Sequence, residues 1–239
     1  MTGMQPAARR LIAGLLVALA VMACGSSTAS PATGSETHPI AEALVAALAS
    51  DPLSTHLEQT AVASTTDGTS TASVDVNLVG DISGEDVAVH ITGTSGELDI
   101  DQDVVVIGDD AYARDHGGAW ASAPRAALES TITGIFDSVR LVDDPAALTY
   151  VGVESVDGRD LHHLTASGTI PYTPASGGTG SYDTFDIFVE EDGTPVKLDA
   201  TFSAVDASGN NVTGELSLAF SNFGDPIEIA VPEGAPAPE

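Results

Sequence analysis

Alternation of apolar and polar residues at period two constrains this chain more than any other feature, because a segment so patterned must bury one face and wet the other. Val74, Val76 and Leu78 alternate with Asp75 and Asn77, and Val87, Val89 and Ile91 alternate with Ala88, His90 and Thr92. Leu98 and Ile100 continue the pattern, and Val104 to Ile107 forms a short apolar run. Further strands are expected at Val151 and Val153, at Leu161 to Ala166, and at Phe185, Ile187 and Val189. Two longer ones rest on Val196, Leu198, Ala200, Phe202 and Ala204 and on Leu216, Leu218 and Phe220. Asp157-Gly158, Asp192-Gly193 and Ser208-Gly209-Asn210 stand where neighbouring strands must reverse. They supply the positive-φ positions of tight hairpins, so the sheet is antiparallel.

Two segments follow helical spacing instead, Ile40–Leu44–Leu48 and Leu128–Ile132–Ile135–Phe136–Val139. A third, short helix is expected at Asp143-Asp144-Pro145, with Asp as N-cap and Pro in the first turn. The order of helix, strands, helical interlude and strands predicts an α+β fold in which helices gather over one face of a curved antiparallel sheet.

The N-terminus carries its own signal. Arg9-Arg10 precede a charge-free apolar run from Leu11 to Ala23, too short to span a bilayer comfortably, and Val21-Met22-Ala23-Cys24 ends in the only cysteine of the chain. This resembles the lipobox of a bacterial lipoprotein, in which the cysteine is acylated after cleavage and becomes the new N-terminus. Residues 1–23 are then a signal peptide and Cys24 the anchor, which places the chain outside the cell on the outer face of the cytoplasmic membrane. A single cysteine allows no disulfide within the chain, so the core must suffice alone.

Loss of Arg9 and Arg10 leaves five basic residues against 35 acidic ones, a formal charge of −30 compared with −28 for the whole chain. That balance excludes nucleic acid and disfavours direct contact with anionic headgroups, both of which need clustered Lys and Arg. Between Cys24 and Glu36 stand only Ser, Thr, Ala, Gly and Pro, so 24–36 reads as a tether, and 232–239, with Pro236 and Pro238, as a tail of the same character. One domain is expected over 37–231, about 195 residues, enough for a sizeable core.

Within that span, Val104-Val105-Val106-Ile107-Gly108-Asp109-Asp110-Ala111-Tyr112-Ala113-Arg114, followed by Trp120, gives a strand, a glycine turn, an aromatic and a tryptophan. A helical segment 125–142, the Asp-Pro element at 144–145, Val153 to Arg159 and Ile187 to Gly193 follow in order. In these motifs residues 37–225 resemble the LppX/LprG-like lipoproteins of actinobacterial cell envelopes, whose fold is similar to that of the LolA/LolB lipoprotein carriers. The resemblance implies a half-barrel sheet closed on its concave face by helices, with a hydrophobic cavity that accepts the acyl chains of lipids or glycolipids in transit, and an envelope transporter as a partner. The strong acidity and the Gly/Ser-rich insert Ala175–Ser181 depart from that pattern, so the ligand itself is not carried over.

A cavity for acyl chains must be lined without charge, and each sequestered methylene contributes about 0.8 kcal/mol. The expected lining is Val76, Leu78, Val89, Ile91, Leu128, Ile132, Ile135 and Phe136, with the competing expectation that these are close-packed core. Ala126, Ala127, Gly134, Ala146 and Ala147 leave room on the covering helices, and Gly134 within a helix costs roughly 1 kcal/mol against Ala.

No reaction centre is found: Gly-x-Ser-x-Gly, Ser-x-x-Lys, His-Glu-x-x-His and glycine-rich phosphate loops are absent from the sequence, and no catalytic residue, metal or cofactor is expected. His162 and His163, adjacent on a strand, point to opposite faces, which is poor geometry for one metal. Asp99, Asp101 and Asp103 look like half of a calcium loop, but Val104 stands where that loop needs glycine, so a wetted strand is expected. Tyr112, Trp120 and Tyr150 could bracket a pocket mouth, although core packing is their commoner use. The expected function is binding and outward transport of lipids by a membrane-anchored protein. The alternatives are a tethered protein-interaction module with a solid core and a hydrolase with an unrecognised site.

Overall fold

The computed structural model describes residues 37–50, 53–66, 70–128, 142–166, 168–172 and 178–237. Helix α1 (Pro39–Leu48) opens with Pro39 in its first turn, where a missing N–H costs nothing, and His38 as N-cap. Its spacing buries Ile40, Leu44 and Leu48, the stripe expected from the sequence, together with Ala41.

Among the described residues twelve strands follow: β1 (Ser54–Thr66), β2 (Thr71–Ser83), β3 (Asp86–Ser95), β4 (Leu98–Ile107), β5 (Asp110–Asp115), β6 (Ala121–Pro124), β7 (Leu148–Val156), β8 (Arg159–Ala166), β9 (Ile170–Tyr172), β10 (Gly178–Val189), β11 (Pro195–Asp206) and β12 (Asn211–Ser221). They make one open antiparallel sheet in the order β6-β5-β4-β3-β2-β1-β12-β11-β10-β8-β7, with β9 against β10. The chain thus forms two meanders, β1 to β6 and β7 to β12, and the pairing of β1 with β12 joins them into one surface. The three expected reversals all occur. Asp157 and Gly158 both take positive φ, 51° and 79°, as a two-residue hairpin of matching twist requires.

The strand that joins the two meanders, β1, paired with β2 and β12, has no clear sequence signal. β1 turns Leu57, Gln59, Ala61 and Ala63 inward and leaves Val62 42 % exposed, so its buried face is weakly apolar and its wet face carries a valine. Between the meanders, Arg125–Ala127 and Pro145–Ala147 are 3₁₀ turns. The second is the expected Asp-Pro element, and Asp144 Oδ1 accepts from the Ala146 N–H at 2.9 Å. The helical stretch expected between them lies mostly outside the described residues; Leu128 and Val142, which flank it, are both buried in the common core. α1 is therefore the one α-helix among the described residues, and the helical cover is established only where α1 lies.

Two glycines shape this arrangement. Gly93 (φ +146°) sits on the inner face opposite Val76, and a Cβ there would lie 2.0 Å from the Asp75 carbonyl oxygen, so its absence lets β3 close onto β2. Gly193, in the reversal between β10 and β11 (φ +87°), lets the α1 backbone approach so closely that a Cβ would meet Ala43 C at 2.5 Å.

Candidate functional site

Paired residues of an antiparallel ladder share a face, so the registers trace each face across the sheet. One inner row reads Gln102, Ile91, Leu78, Gln59, Leu218, Leu198, Ile187, Leu164 and Tyr150, over nine strands from β4 to β7. Its first eight members are 0 to 8 % exposed. Neighbouring inner rows add Val76, Val89, Val104, Val106, Phe185 and Leu216, all buried in one cluster.

Five of the eight expected lining residues fall here. Val76, Leu78, Val89 and Ile91 sit side by side on β2 and β3, Leu78 directly opposite Ile91, and Leu128 is buried in the same cluster. Ile132, Ile135 and Phe136, and the acylation site Cys24, lie outside the described residues. α1 packs against β7, β11 and the Pro145–Ala147 turn, toward the other end of the sheet from β2 and β3.

At that end the inner row leaves hydrocarbon behind. The Tyr150 ring stacks on His38 with centroids 3.8 Å apart and planes 5° from parallel, and its hydroxyl lies 2.9 Å from His162 Nδ1. His38 Nδ1 in turn accepts from the Ile40 N–H at 3.3 Å and caps α1. His162 therefore faces inward and His163 outward, as their adjacency on a strand requires. The polar tip of its ring made Tyr150 a pocket-mouth candidate in the sequence, but nothing there could bring His38, over a hundred positions earlier in the chain, onto the same ring.

The outer face is built of charge and hydroxyl groups. The next row reads Arg114, Asp103, His90, Val79, Glu58, Ala219, Lys197, Phe188 and His163. Asp99, Asp101 and Asp103 lie on β4, where His90 and His116 reach Asp101, and His90 and Arg114 reach Asp103, the latter at 2.6 Å. Partial burial opposes the charge on Asp103, but hydrogen bonds from Arg114 and His90 and their charges outweigh it and hold the carboxyl below its ordinary range. His163 is held between Glu154 and Asp186, 2.9 Å from each. Burial there opposes the imidazolium, yet the two carboxylates together raise its pKa. Arg114 also lies over the Trp120 ring at 4.5 Å.

Two open depressions of about 300 and 500 Å³ lie along β10, β11 and β12. Thr60, Thr184, Asp186, Asp199, Glu215 and Ser217 line the first, and Ser181, Ser203, Asn211 and Thr213 help to line the second. Val62, Ala200 and Leu216 also line the first and Ala204, Val205 and Val212 the second, but neither contains an expected lining residue. Among the described residues no three His, Cys, Asp or Glu side chains stand together as metal ligands, and no helix is long and apolar enough to cross a membrane.

No protein-family model matches the chain, and no curated protein is similar to it. Among solved structures, a LolA superfamily protein from Nitrosomonas europaea overlaps 80 % of this chain and 96 % of its own at 11 % identity and a TM-score of 0.33. MucB, solved in complex with periplasmic MucA, overlaps 81 % of this chain and 58 % of its own at 16 % identity and a TM-score of 0.29. A DUF1329 family protein from Desulfovibrio piger overlaps 82 % and 96 % at 12 % identity and a TM-score of 0.28. Overlaps this loose leave function to be argued from the chain's own geometry.

Proposed function

We propose that this chain is a cell-envelope lipoprotein, held through acylated Cys24 on the outer face of the cytoplasmic membrane, that binds lipids or glycolipids against the inner face of its sheet and assists their transport to the outer envelope. One observation carries this reading: the apolar inner rows cross nine strands, about 40 Å at the usual strand spacing, whereas α1 has ten residues and reaches about 15 Å. The apolar residues beyond the reach of α1 include Val76, Leu78, Val89 and Ile91, which are 0 to 4 % exposed and would line the acyl site together with Leu128, Ile132, Ile135 and Phe136. Binding of this kind needs no catalytic group, because apolar contact at about 0.8 kcal/mol per methylene supplies the affinity. The domain boundaries follow: a signal over 1–23, a tether over 24–36 and the carrier domain over 37–231.

Native mass spectrometry of the full chain carrying Cys24→Ser tests the reading. Co-purified lipid is the expected result, and Ile132→Glu or Phe136→Glu should release it without loss of the fold. A clean protein mass under gentle conditions would instead favour the tethered interaction module. That second reading has its own support in β7, which pairs only with β8 among the described residues and exposes Val151 and Val153 by 51 % and 56 %.

A further inference from the structure

Among the described residues β6, β7 and β9 each pair on one side only, and they differ in how the other side is guarded. β6 has four residues and ends in Pro124, and β9 has three around Pro171. A short strand with a proline offers an incoming chain few N–H groups. β7 has nine residues, none of them Lys, Arg or Pro. Its single carboxylate, Glu154, reaches His163 on β8 and so leans away from the free side. We infer that the free edge of β7 adds a strand from another polypeptide, an extended segment that is apolar in its middle and basic at both ends.

The backbone of β7 supplies the bonding groups. Asp157 and Gly158 form a two-residue turn with positive φ at both positions, so the flanking pair Val156 and Arg159 exchange hydrogen bonds, as does every second pair behind them. Ser155 and Val153 therefore turn their N–H and C=O groups away from β8. The register shift between Tyr150 and Gly152 ends this regular run. The site is thus residues 152–156, with exposed Val153 inside it and exposed Val151 at its margin. An added strand would satisfy the backbone groups and cover both valines.

Charge selects the occupant. Asp143 and Asp144 precede the strand, Asp157 and Asp160 follow it, and Arg159, the only base between positions 142 and 160, pairs with Glu190. Antiparallel pairing of β7 with a second copy would set these acidic ends against each other, between chains of net charge −28. Residues 24–36 of the same chain carry no base and include Pro31, so they offer no complement. Lys or Arg on either side of a β-branched centre matches the edge and both of its ends. The inference is independent of what the inner face holds.

The full chain carrying Cys24→Ser, titrated into the fluorescent peptide Lys-Lys-Val-Thr-Val-Thr-Val-Lys-Lys and followed by anisotropy, tests it. Binding is expected, and N-methylation along the Val-Thr centre should weaken it about tenfold or more, which corresponds to two or more lost hydrogen bonds. A peptide with Glu in place of every Lys should bind no better than the methylated one. Val153→Pro removes a free-edge N–H without touching a bond to β8, and should weaken the Lys peptide by a similar factor while circular dichroism stays unchanged. Should that variant unfold, Val153→Lys, at an exposed position, puts a guarding charge on the edge and carries the same expectation. Equal binding of methylated and unmethylated peptides would mean attraction by net charge alone and overturns the inference. So does failure of the Lys peptide to bind, or binding that survives the substitution in a folded variant. A dimer of the C24S chain that Val153→Pro dissolves would give the edge to a second copy and overturns it too. Lipid on the same chain is read separately by native mass spectrometry, so the carrier reading stands or falls on its own measurement.

Discussion

Leu78 and Val79 are chain neighbours on β2 with opposite surroundings: Leu78 is fully buried on the inner face between Gln59 and Ile91, while Val79 is 42 % exposed on the outer face between Glu58 and His90. The same step of one residue separates the two faces along β2, β3, β11 and β12, whereas register shifts interrupt it at Tyr150/Gly152 on β7 and Tyr182/Thr184 on β10. Inside, the registers line up Leu, Ile, Val and Phe; outside, they line up carboxylates, histidines and hydroxyls. Burial supplies the folding free energy on one face, and charge keeps the other hydrated. An apolar ligand thus has a single face on which to bind.

The sharpest way to break this contrast is to truncate both neighbours. Leu78→Ala should lower unfolding free energy by about 2–5 kcal/mol, the range for a large aliphatic removed from a packed core. Val79→Ala should stay within about 0.5 kcal/mol. Urea unfolding followed by circular dichroism reads both. Equal effects would mean that the inner face at β2 is not packed as described, and a Leu78→Ala cost well below the range would fit a site that already borders open space.

A second comparison sets two glycines of β3 and its following turn against each other. Gly93→Ala forces a Cβ to within 2.0 Å of the Asp75 carbonyl oxygen and should cost about 1–3 kcal/mol as overpacking. Gly96→Ala, at φ +62° with nothing within 4 Å of the added carbon, should cost about 1 kcal/mol through backbone strain alone. The two variants in the same unfolding assay show whether the close backbone approach of β3 to β2 at Gly93 adds a cost beyond backbone strain. Identical losses would refute that account.

Much of this architecture is legible in the sequence for a plain reason: where inner residues are large and outer ones polar, as in β2, β3, β11 and β12, period two announces the strand and its facing together. β1 stayed hidden because Ala61, Ala63 and Gln59 face inward and Val62 outward, so the pattern is flattened at the strand that joins the two meanders. The candidate lining on β2 and β3 was legible for the same reason the strands were, whereas the His38–Tyr150–His162 cluster was not. Its members come from the N-cap of α1, from β7 and from β8, and nothing in local spacing says which strand edge a helix start will meet. The carboxylate partners of the outer histidines were equally out of reach, since they are set by cross-strand register.

The smallest predicted effect belongs to that outer face and tests whether its charges couple to folding at all. His163 stands between Glu154 and Asp186 and stacks on Phe188 at 4.6 Å. Although burial alone would depress it, the two carboxylates raise its pKa above the ordinary 6.5. A pKa raised on folding means that the folded state binds the proton more tightly. The associated stabilisation is complete below the unfolded value near 6.5 and is lost as pH rises through the higher folded value. The melting temperature of the unaltered protein minus that of His163→Gln should therefore be largest near pH 6 and shrink toward pH 8. A difference that stays constant across this window would show that His163 contributes packing against Phe188 and no charge.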